Sequence, residues 1–181
     1  MLLRSVRGCN SDAPFTLNLV SQRRSLSLVV NPTNSPMSVE RDKMIAALKK
    51  HVVPVLKAQG FEGSFPHFRR PTGTAIHLLT FQFDKWGGGF VVEIATCPPV
   101  GFTTHWGEHI PPTKIRAWDI NHRLRLGAPD ENSDGHWFRY GRGEPALSDN
   151  GYEKVARELL PYLSGQAASW WRKTHTHTTS R

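Results

Sequence analysis

The feature that most constrains the fold of this chain is a pair of strand-patterned runs joined by a glycine-rich turn. Residues 75–84 are rich in Ile, Leu, Thr and Phe, and residues 90–97 read Phe-Val-Val-Glu-Ile-Ala-Thr-Cys. Residues 85–89, Lys-Trp-Gly-Gly-Gly, supply the glycines whose positive φ angles suit a hairpin connection. A glycine-rich phosphate loop joins a strand to a helix. Because this loop joins two strands, we predict an antiparallel hairpin.

Helices are predicted on both sides of these strands. The first is expected to run from Ser38, which can cap it, to Gln59, where Gly60 ends it. Pro54 removes one backbone hydrogen bond and is expected to kink its last turn. The second helix starts near residues 148–150 and carries an apolar stripe at helical spacing. The members of that stripe are Tyr152, Val155, Ala156, Leu159, Leu160 and Leu163.

Further strands are predicted at residues 65–69, 118–126 and 137–140, whereas residues 98–113, with four prolines, are predicted to be a long loop. Residues 118–126 alternate between apolar and polar side chains, although His122 breaks the phase. The order of helix, strands and helix predicts an α+β domain. Its antiparallel four- or five-stranded sheet is expected to pack in two layers against an N-terminal and a C-terminal helix.

Residues 37–171 are predicted to form a single α+β domain, followed by a flexible tail at 172–181. Residues 1–36 contain one acidic residue and no helical or strand period, so we expect a disordered arm or a misassigned extension, with Met37 as the start. An organelle transit peptide has a similar composition. No apolar run approaches the ~20 residues that span a bilayer, so no membrane association is predicted.

Net charge gives a weak indication of nucleic-acid binding. The chain carries 23 Lys and Arg against 15 Asp and Glu, a net charge of +8, but residues 1–36 and 172–181 each contribute +3. The core is therefore nearly balanced, and basic arms are the only support for a nucleic-acid partner. Two cysteines favour neither a disulfide framework nor a zinc site, which points to a cytoplasmic location.

Several segments of the core follow one another in an order that allows comparison with a known family. They are the helix that ends Leu-Lys-Ala-Gln-Gly-Phe at 56–61, the strand pair around residues 85–89, Arg-Leu-Arg-Leu-Gly at 123–127 and His-Trp-Phe at 136–138. In this order they resemble the bacterial domain-of-unknown-function family DUF4304, over about residues 37–165. The resemblance implies no known activity, and it supplies no catalytic residues.

One motif suggests metal chemistry. Residues 105–109, His-Trp-Gly-Glu-His, fit the H-x-x-E-H pattern of a zinc-peptidase family. That chemistry needs both histidines on one face of a helix, and Gly107 and the nearby Pro111 and Pro112 oppose a helix. A metal-binding or ligand-binding, enzyme-like site around His105, His109, His122 and Glu93 is therefore kept as an alternative only.

Glu93 is the most unusual acidic residue, because it interrupts the apolar run 90–97. By alternation it shares a face of its strand with Val91 and Ala95. We expect its carboxylate to face solvent, with a pocket or an arginine partner as the alternative.

The sequence contains no convincing catalytic set, so a non-enzymatic protein that binds a partner is favoured over an enzyme. The partner is expected to be a protein, no cofactor is predicted, and the oligomeric state stays open. Exposed tryptophans can mark a binding surface or cover a sheet edge, and the second reading is preferred. The candidate partner-binding residues are the loop aromatics Phe102, Trp106 and Trp86.

Overall fold

A central antiparallel sheet organises the fold in the computed structural model, which describes residues 36–133, 135–141 and 147–178. The arm predicted at 1–36 lies outside these residues, apart from Pro36. Eight strands lie in the described part of the chain. In chain order they are β1 (Glu62–Ser64), β2 (His67–Pro71), β3 (Ile76–Phe83), β4 (Gly89–Cys97), β5 (Phe102–Thr103), β6 (His109–Ile110), β7 (Arg123–Arg125) and β8 (Phe138–Arg139).

The strands pair as an antiparallel sheet in the order β1-β2-β3-β4-β7, with β8 also paired to β4. β7 pairs with residues 93–95 of β4, and β8 pairs with residues 89–90. Both short strands therefore share one edge of the longest strand. β5 and β6 form a separate two-stranded hairpin. The predicted hairpin of β3 and β4 is confirmed, with Phe83 opposite Phe90 next to the glycine-rich turn.

The N-terminal helix predicted as one kinked element is divided into α1 (Pro36–His51) and α2 (Val53–Ala58). Pro54 lies in the first turn of α2. Backbone N–H groups in a first turn have no partner within the helix, so the missing N–H of proline costs no helical hydrogen bond there. Farther back in a continuous helix, the same residue would interrupt the hydrogen-bond ladder. The proline therefore divides the helix where a kink was predicted.

The C-terminal helical region comprises α3 (Asp149–Tyr162), a π-helical stretch (Leu163–Ala167) and α4 (Ala168–Thr178). The predicted apolar stripe is confirmed at Tyr152, Ala156 and Leu159, which are buried in α3. α4 continues past residue 171, where the sequence placed the end of the domain. The domain boundaries themselves stay predictions.

One face of the sheet packs against the helices and forms the larger core. Phe90, Val92 and Ile94 of β4 are fully buried there. The helices contribute apolar residues that alternate with solvent-facing ones at helical spacing. The buried residues of this helical layer, including Val52 between α1 and α2, are Met44, Ala47, Leu48, Val52, Leu56, Tyr152, Ala156, Leu159, Leu163, Ala167, Trp170 and Trp171.

The other face of the sheet is covered by residues 110–120, called the covering segment below. Ile115, Ala117 and Ile120 of this segment are buried against Leu78 and Ala95 of the sheet. This second core is smaller than the first, and it adds a partial third layer to the two layers that were predicted.

The strand predicted at residues 118–126 is reduced to β7, and Ala117–Asp119 form a short 3₁₀ helix instead. The Asp119 carboxylate accepts a hydrogen bond from the backbone N–H of Arg116 at 2.8 Å, which closes a turn and diverts the chain. The predicted loop at 98–113 likewise contains the short strands β5 and β6.

The predicted α+β class, with an antiparallel sheet between N-terminal and C-terminal helices, is confirmed. In the described residues six strands join the sheet, whereas four or five were expected. The difference arises because very short strands such as β1 contain too few residues for their alternation to be detected in the sequence. None of the helices in the described part of the chain is both long and apolar enough to cross a membrane.

Candidate functional site

A row of polar residues crosses the sheet on the face under the covering segment. The strand register places His67, Thr80, Glu93 and Arg125 side by side on β2, β3, β4 and β7. Side chains of directly paired residues lie on the same face of a sheet, a few ångströms apart. This face therefore combines a small apolar core with ionisable groups, unlike the face under the helices.

Glu93 occupies the centre of this row. Its side chain is only 2% exposed, and Oε1 lies 3.1 Å from Nε of Arg125 and 3.5 Å from Nε of Arg123. The expectation that Glu93 faces solvent is wrong, because the covering segment and the arginines bury this face. The alternative with an arginine partner describes its position, since a buried carboxylate needs a cation to offset its lost hydration.

His67 stands at the end of the row, beside the covering segment. Its Nδ1 lies 3.2 Å from Oγ1 of Thr80, which also accepts a hydrogen bond from the backbone N–H of Ala117 at 3.4 Å. The edge of its ring contacts Trp118, with 4.9 Å between ring centroids. Burial lowers the pKa of His67, and the positive charge of Arg116 lowers it further. The imidazole is therefore neutral at pH 7.

A cleft of about 360 Å³ opens next to His67, between β1 and β2 on one side and the covering segment on the other. Arg69, Lys114 and Arg116 line it, and none of the described Asp or Glu residues does. Arg69 donates from Nη1 to the carbonyl of Pro112 at 3.0 Å, and the Arg116 guanidinium lies 5.2 Å from the Trp118 ring centre. The cleft is thus positively charged.

The hairpin of β5 and β6 ends in a turn whose geometry is fixed by Thr104. The backbone N–H of Thr104 donates to the carbonyl of Glu108 at 2.9 Å, and its hydroxyl both donates to that carbonyl and accepts from the N–H of Glu108. Thr104 is buried, whereas Trp106 at the tip of the turn is 66% exposed. Trp106 Nε1 donates to Oε2 of Glu108 at 3.2 Å.

The structure does not bring the three candidate aromatic residues together. Phe102 is half-buried and packs against the second core. Trp86 is 59% exposed in the turn that connects β3 to β4, at the opposite end of β4 from β5. Trp106 is therefore the exposed aromatic of the β5–β6 hairpin, and Trp86 belongs to a different surface.

The candidate metal ligands are also separated. His105 lies in the hairpin turn, and Nδ1 of His109 on β6 is 3.2 Å from the Thr103 hydroxyl. His122 lies elsewhere, with Nε2 2.6 Å from Oε2 of Glu131. In the described residues, no group of three or more His, Cys, Asp and Glu side chains is arranged to hold a metal ion. The H-x-x-E-H residues lie on a hairpin and not on a helix, which Gly107 and the nearby prolines opposed.

Cys97 ends β4 with its side chain buried in the second core, as a small apolar residue would be. Burial raises the pKa of its thiol to about 11. The thiol is therefore protonated at neutral pH and is poorly suited to act as a nucleophile.

Sequence reasoning missed the polar row and the cleft. The alternation His-Phe-Arg at 67–69 and Arg-Leu-Arg at 123–125 is a strand signal that places the polar residues on one face. That signal could have paired the arginines with Glu93 once the order of the strands was known. No signal in the sequence indicated that residues 113–116 would close a cleft over β2.

Comparison with known proteins identifies a family. A model of the family described as "Domain of unknown function (DUF4304)" matches residues 52–176, which is more than half of the chain. No curated protein and no solved structure matches the chain.

Proposed function

The chain belongs to DUF4304, a family described only as a domain of unknown function, and we propose that it is a non-enzymatic protein that binds a protein partner through the hairpin of β5 and β6. The observation that carries this proposal is the exposure of Trp106 on a turn with fixed geometry. The proposal includes a bacterial, cytoplasmic setting, in keeping with the free thiol of Cys97.

Trp106 combines two properties of interface residues that contribute strongly to binding. Its indole ring presents a large apolar surface to solvent, and burial of that surface in a partner would release ordered water. The hydrogen bonds of Thr104 and Glu108 fix the turn before any partner arrives. Binding through a fixed turn loses less conformational entropy than binding through a flexible loop.

The base of the hairpin supports the same proposal. Phe102 and Ile110, paired across β5 and β6, both pack against the second core. The hairpin is therefore attached to the sheet at its base, while its tip stays in solvent. A rigid attachment of this kind holds a recognition residue in a constant position.

A non-enzymatic role is favoured by the groups that could otherwise act as catalysts. The Cys97 thiol is buried and its pKa is raised. The hydroxyl of Thr80, next to His67, is buried as well. A buried, protonated thiol and a buried hydroxyl that is already engaged in hydrogen bonds are weak nucleophiles.

The experiment compares Trp106→Ala with Trp86→Ala, because both tryptophans are exposed and lie in strand connections at opposite ends of β4. The full chain and both variants are used to capture proteins from a lysate of the source organism. Each captured protein is then purified, and its Kd is measured by calorimetry. We expect Trp106→Ala to weaken binding about tenfold or more and Trp86→Ala to change it less than about twofold.

Amide hydrogen exchange in the complex locates the interface independently. Protection of residues 102–110 on binding is the expected result. A partner with the same Kd for wild type and Trp106→Ala would contradict the proposal, as would protection confined to other surfaces. If the captured material is nucleic acid and its binding is lost on deletion of residues 1–36 and 173–181, the basic arms would account for the interaction instead.

A further inference from the structure

The basic cleft beside His67 suggests a second binding site, independent of the hairpin tip. Three cationic side chains, those of Arg69, Lys114 and Arg116, line one cleft. None of the three forms an ion pair with a carboxylate in the described part of the chain, unlike Arg123 and Arg125 on the same side of the sheet. Their positive charge is thus not neutralised by an ion pair with any acid in the part of the chain that the structure describes.

The nearest acidic residues do not alter this conclusion. Glu62 lies opposite Arg69 in the register of β1 and β2, but it is exposed and does not line the cleft. Asp119 uses Oδ2 to accept a hydrogen bond from the backbone N–H of Arg116, and its negative charge acts to raise the pKa of His67, against the effects of Arg116 and Arg69. This is one carboxylate beside three cations, so the cleft keeps an excess of positive charge.

The walls of the cleft are fixed by the fold. Ile115 is buried in the second core, between Lys114 and Arg116. The backbone N–H groups of Lys114 and Ile115 both donate to the carbonyl of Pro111, at 2.9 and 3.1 Å. The hydrogen bond from Arg69 to the carbonyl of Pro112 joins this wall to β2. The backbone of this wall and the Arg69 side chain are therefore held in place before an anion arrives, which favours its binding.

His67 adds a neutral polar group to these cations. Its Nδ1 is engaged by the Thr80 hydroxyl, so Nε2 is the ring nitrogen left to contact a ligand. Phe65 also lines the cleft and supplies an apolar surface. Guanidinium and ammonium groups around a neutral hydrogen-bonding side chain are suited to the oxygens of a phosphate or carboxylate group.

We infer that this cleft binds a small molecule that carries a phosphate or carboxylate group. A volume of about 360 Å³ falls within the range of small-molecule sites. The cations surround a single cleft and do not form the extended track that a polynucleotide backbone requires. The ligand is therefore expected to be a small anion with an apolar or aromatic portion that contacts Phe65.

The test uses phenyl phosphate and benzoate as probes, with the full chain. Binding is measured by calorimetry, and its position is read from amide NMR shifts of Thr80, Ile115 and Ala117. At least one probe is expected to bind with a Kd of about 1 mM or tighter and to shift these amides. Comparison of the two probes distinguishes a phosphate ligand from a carboxylate ligand.

A charge-removing variant and a control at a distant site make the test specific. Lys114→Gln combined with Arg116→Gln changes two exposed side chains and is expected to weaken binding at least about tenfold. Lys154→Gln removes an exposed charge on α3, across the sheet, and is expected to leave the Kd within about twofold. A thermal melt of each variant confirms that it is folded.

The pKa of His67 provides a further measurement, because an anion in the cleft favours the protonated imidazole. The bound probe is expected to raise the pKa of His67 in an NMR titration. Failure of both probes to bind, or equal binding by the double variant, would overturn the inference. Trp106→Ala is expected to leave probe binding unchanged, so this result is independent of the proposed function.

Discussion

The two faces of the sheet are stabilised in different ways. The face under the helices is an apolar core, to which α1, α2, α3 and α4 contribute residues at helical spacing. The face under the covering segment has a smaller apolar cluster and a row of polar groups centred on Glu93. The first face provides most of the buried apolar area, and the second provides the cleft and the attachment of the hairpin. Stability and candidate binding surfaces are thus largely separated by the sheet.

The strongest test of this comparison uses neighbouring residues of β3. Leu79 faces the helices with 0% exposure, and Leu78 faces the covering segment with 1% exposure. Leu79→Ala is expected to lower the free energy of unfolding by about 3–5 kcal/mol, and Leu78→Ala by about 2–3 kcal/mol. The covering segment has less regular structure than the helices and can relax around the smaller side chain. Urea denaturation of both variants measures the difference.

Because both changes delete the same atoms from the same strand, each variant is the control for the other. A larger loss for Leu78→Ala would reverse the comparison. It would show that the covering segment is packed more rigidly than the helices.

The ion pairs of Glu93 provide a test confined to the second face. Arg123→Gln combined with Arg125→Gln leaves a buried carboxylate without a cation, and we expect a loss of about 2–3 kcal/mol in the free energy of unfolding. Glu93→Gln is expected to cost about 1 kcal/mol, because the two arginines are about one third exposed and keep contact with water. Denaturation at pH 7 measures both.

The order of these two effects is the informative result. A Glu93→Gln variant less stable than the double arginine variant would mean that the carboxylate organises the arginines, and not the reverse. Equal losses in the free energy of unfolding would contradict the expectation that the more deeply buried partner is the costlier one to leave unpaired.

The smallest expected effect is a pH dependence that comes from His67. Burial, followed by the charge of Arg116, lowers the pKa of His67 in the folded chain below its ordinary value of 6.5. The unfolded chain therefore binds more protons as the pH falls below about 6.5, and the free energy of unfolding decreases there. Above that pH the contribution of His67 to stability is fully present. Denaturation between about pH 5 and pH 7 is expected to show a shallower slope for His67→Gln than for wild type.

The control for this measurement is His105→Gln, which changes an exposed histidine in the hairpin turn. A wild-type slope that persists in His67→Gln would assign the pH dependence to other groups. The ion pairs of His51, His122 and His136 with glutamates would then be the next to examine.

The helix face could be predicted from the sequence, because its pattern is local. The stripe at Tyr152, Ala156 and Leu159 has helical spacing, and β3 and β4 are long apolar runs on either side of glycines. Each of these signals lies within a window of about 11–18 residues. The resemblance to the family rested on the strand pair of this face together with residues 56–61, 123–127 and 136–138, and the family match over residues 52–176 confirms it.

The second face could not be predicted, because its partners are distant in the chain. Glu93 and Arg125 are 32 positions apart in the sequence, and Ala117 and Thr80 are 37 positions apart. A carboxylate in an apolar strand can face solvent, line a pocket or pair with an arginine, and which of these occurs depends on the segment that covers it. The short turn at Ala117–Asp119 interrupts an alternating pattern that otherwise favours a strand. The cleft depends on that turn.

The late position of α3 and α4 in the chain, relative to the strands that they cover, has a consequence for synthesis of the protein. Lys43 contacts Asp149 at 3.1 Å, and Trp171 donates to the carbonyl of Ala95 at 3.2 Å. The strands β1 to β4 are complete at residue 97, but the helices that finish covering their apolar face are translated about 50 to 80 residues later. A growing chain on the ribosome therefore exposes Phe90, Val92 and Ile94 for the time needed to make α3 and α4. During that interval we expect the nascent sheet to be vulnerable to aggregation, and a chain truncated before residue 149 is expected to stay in this exposed state.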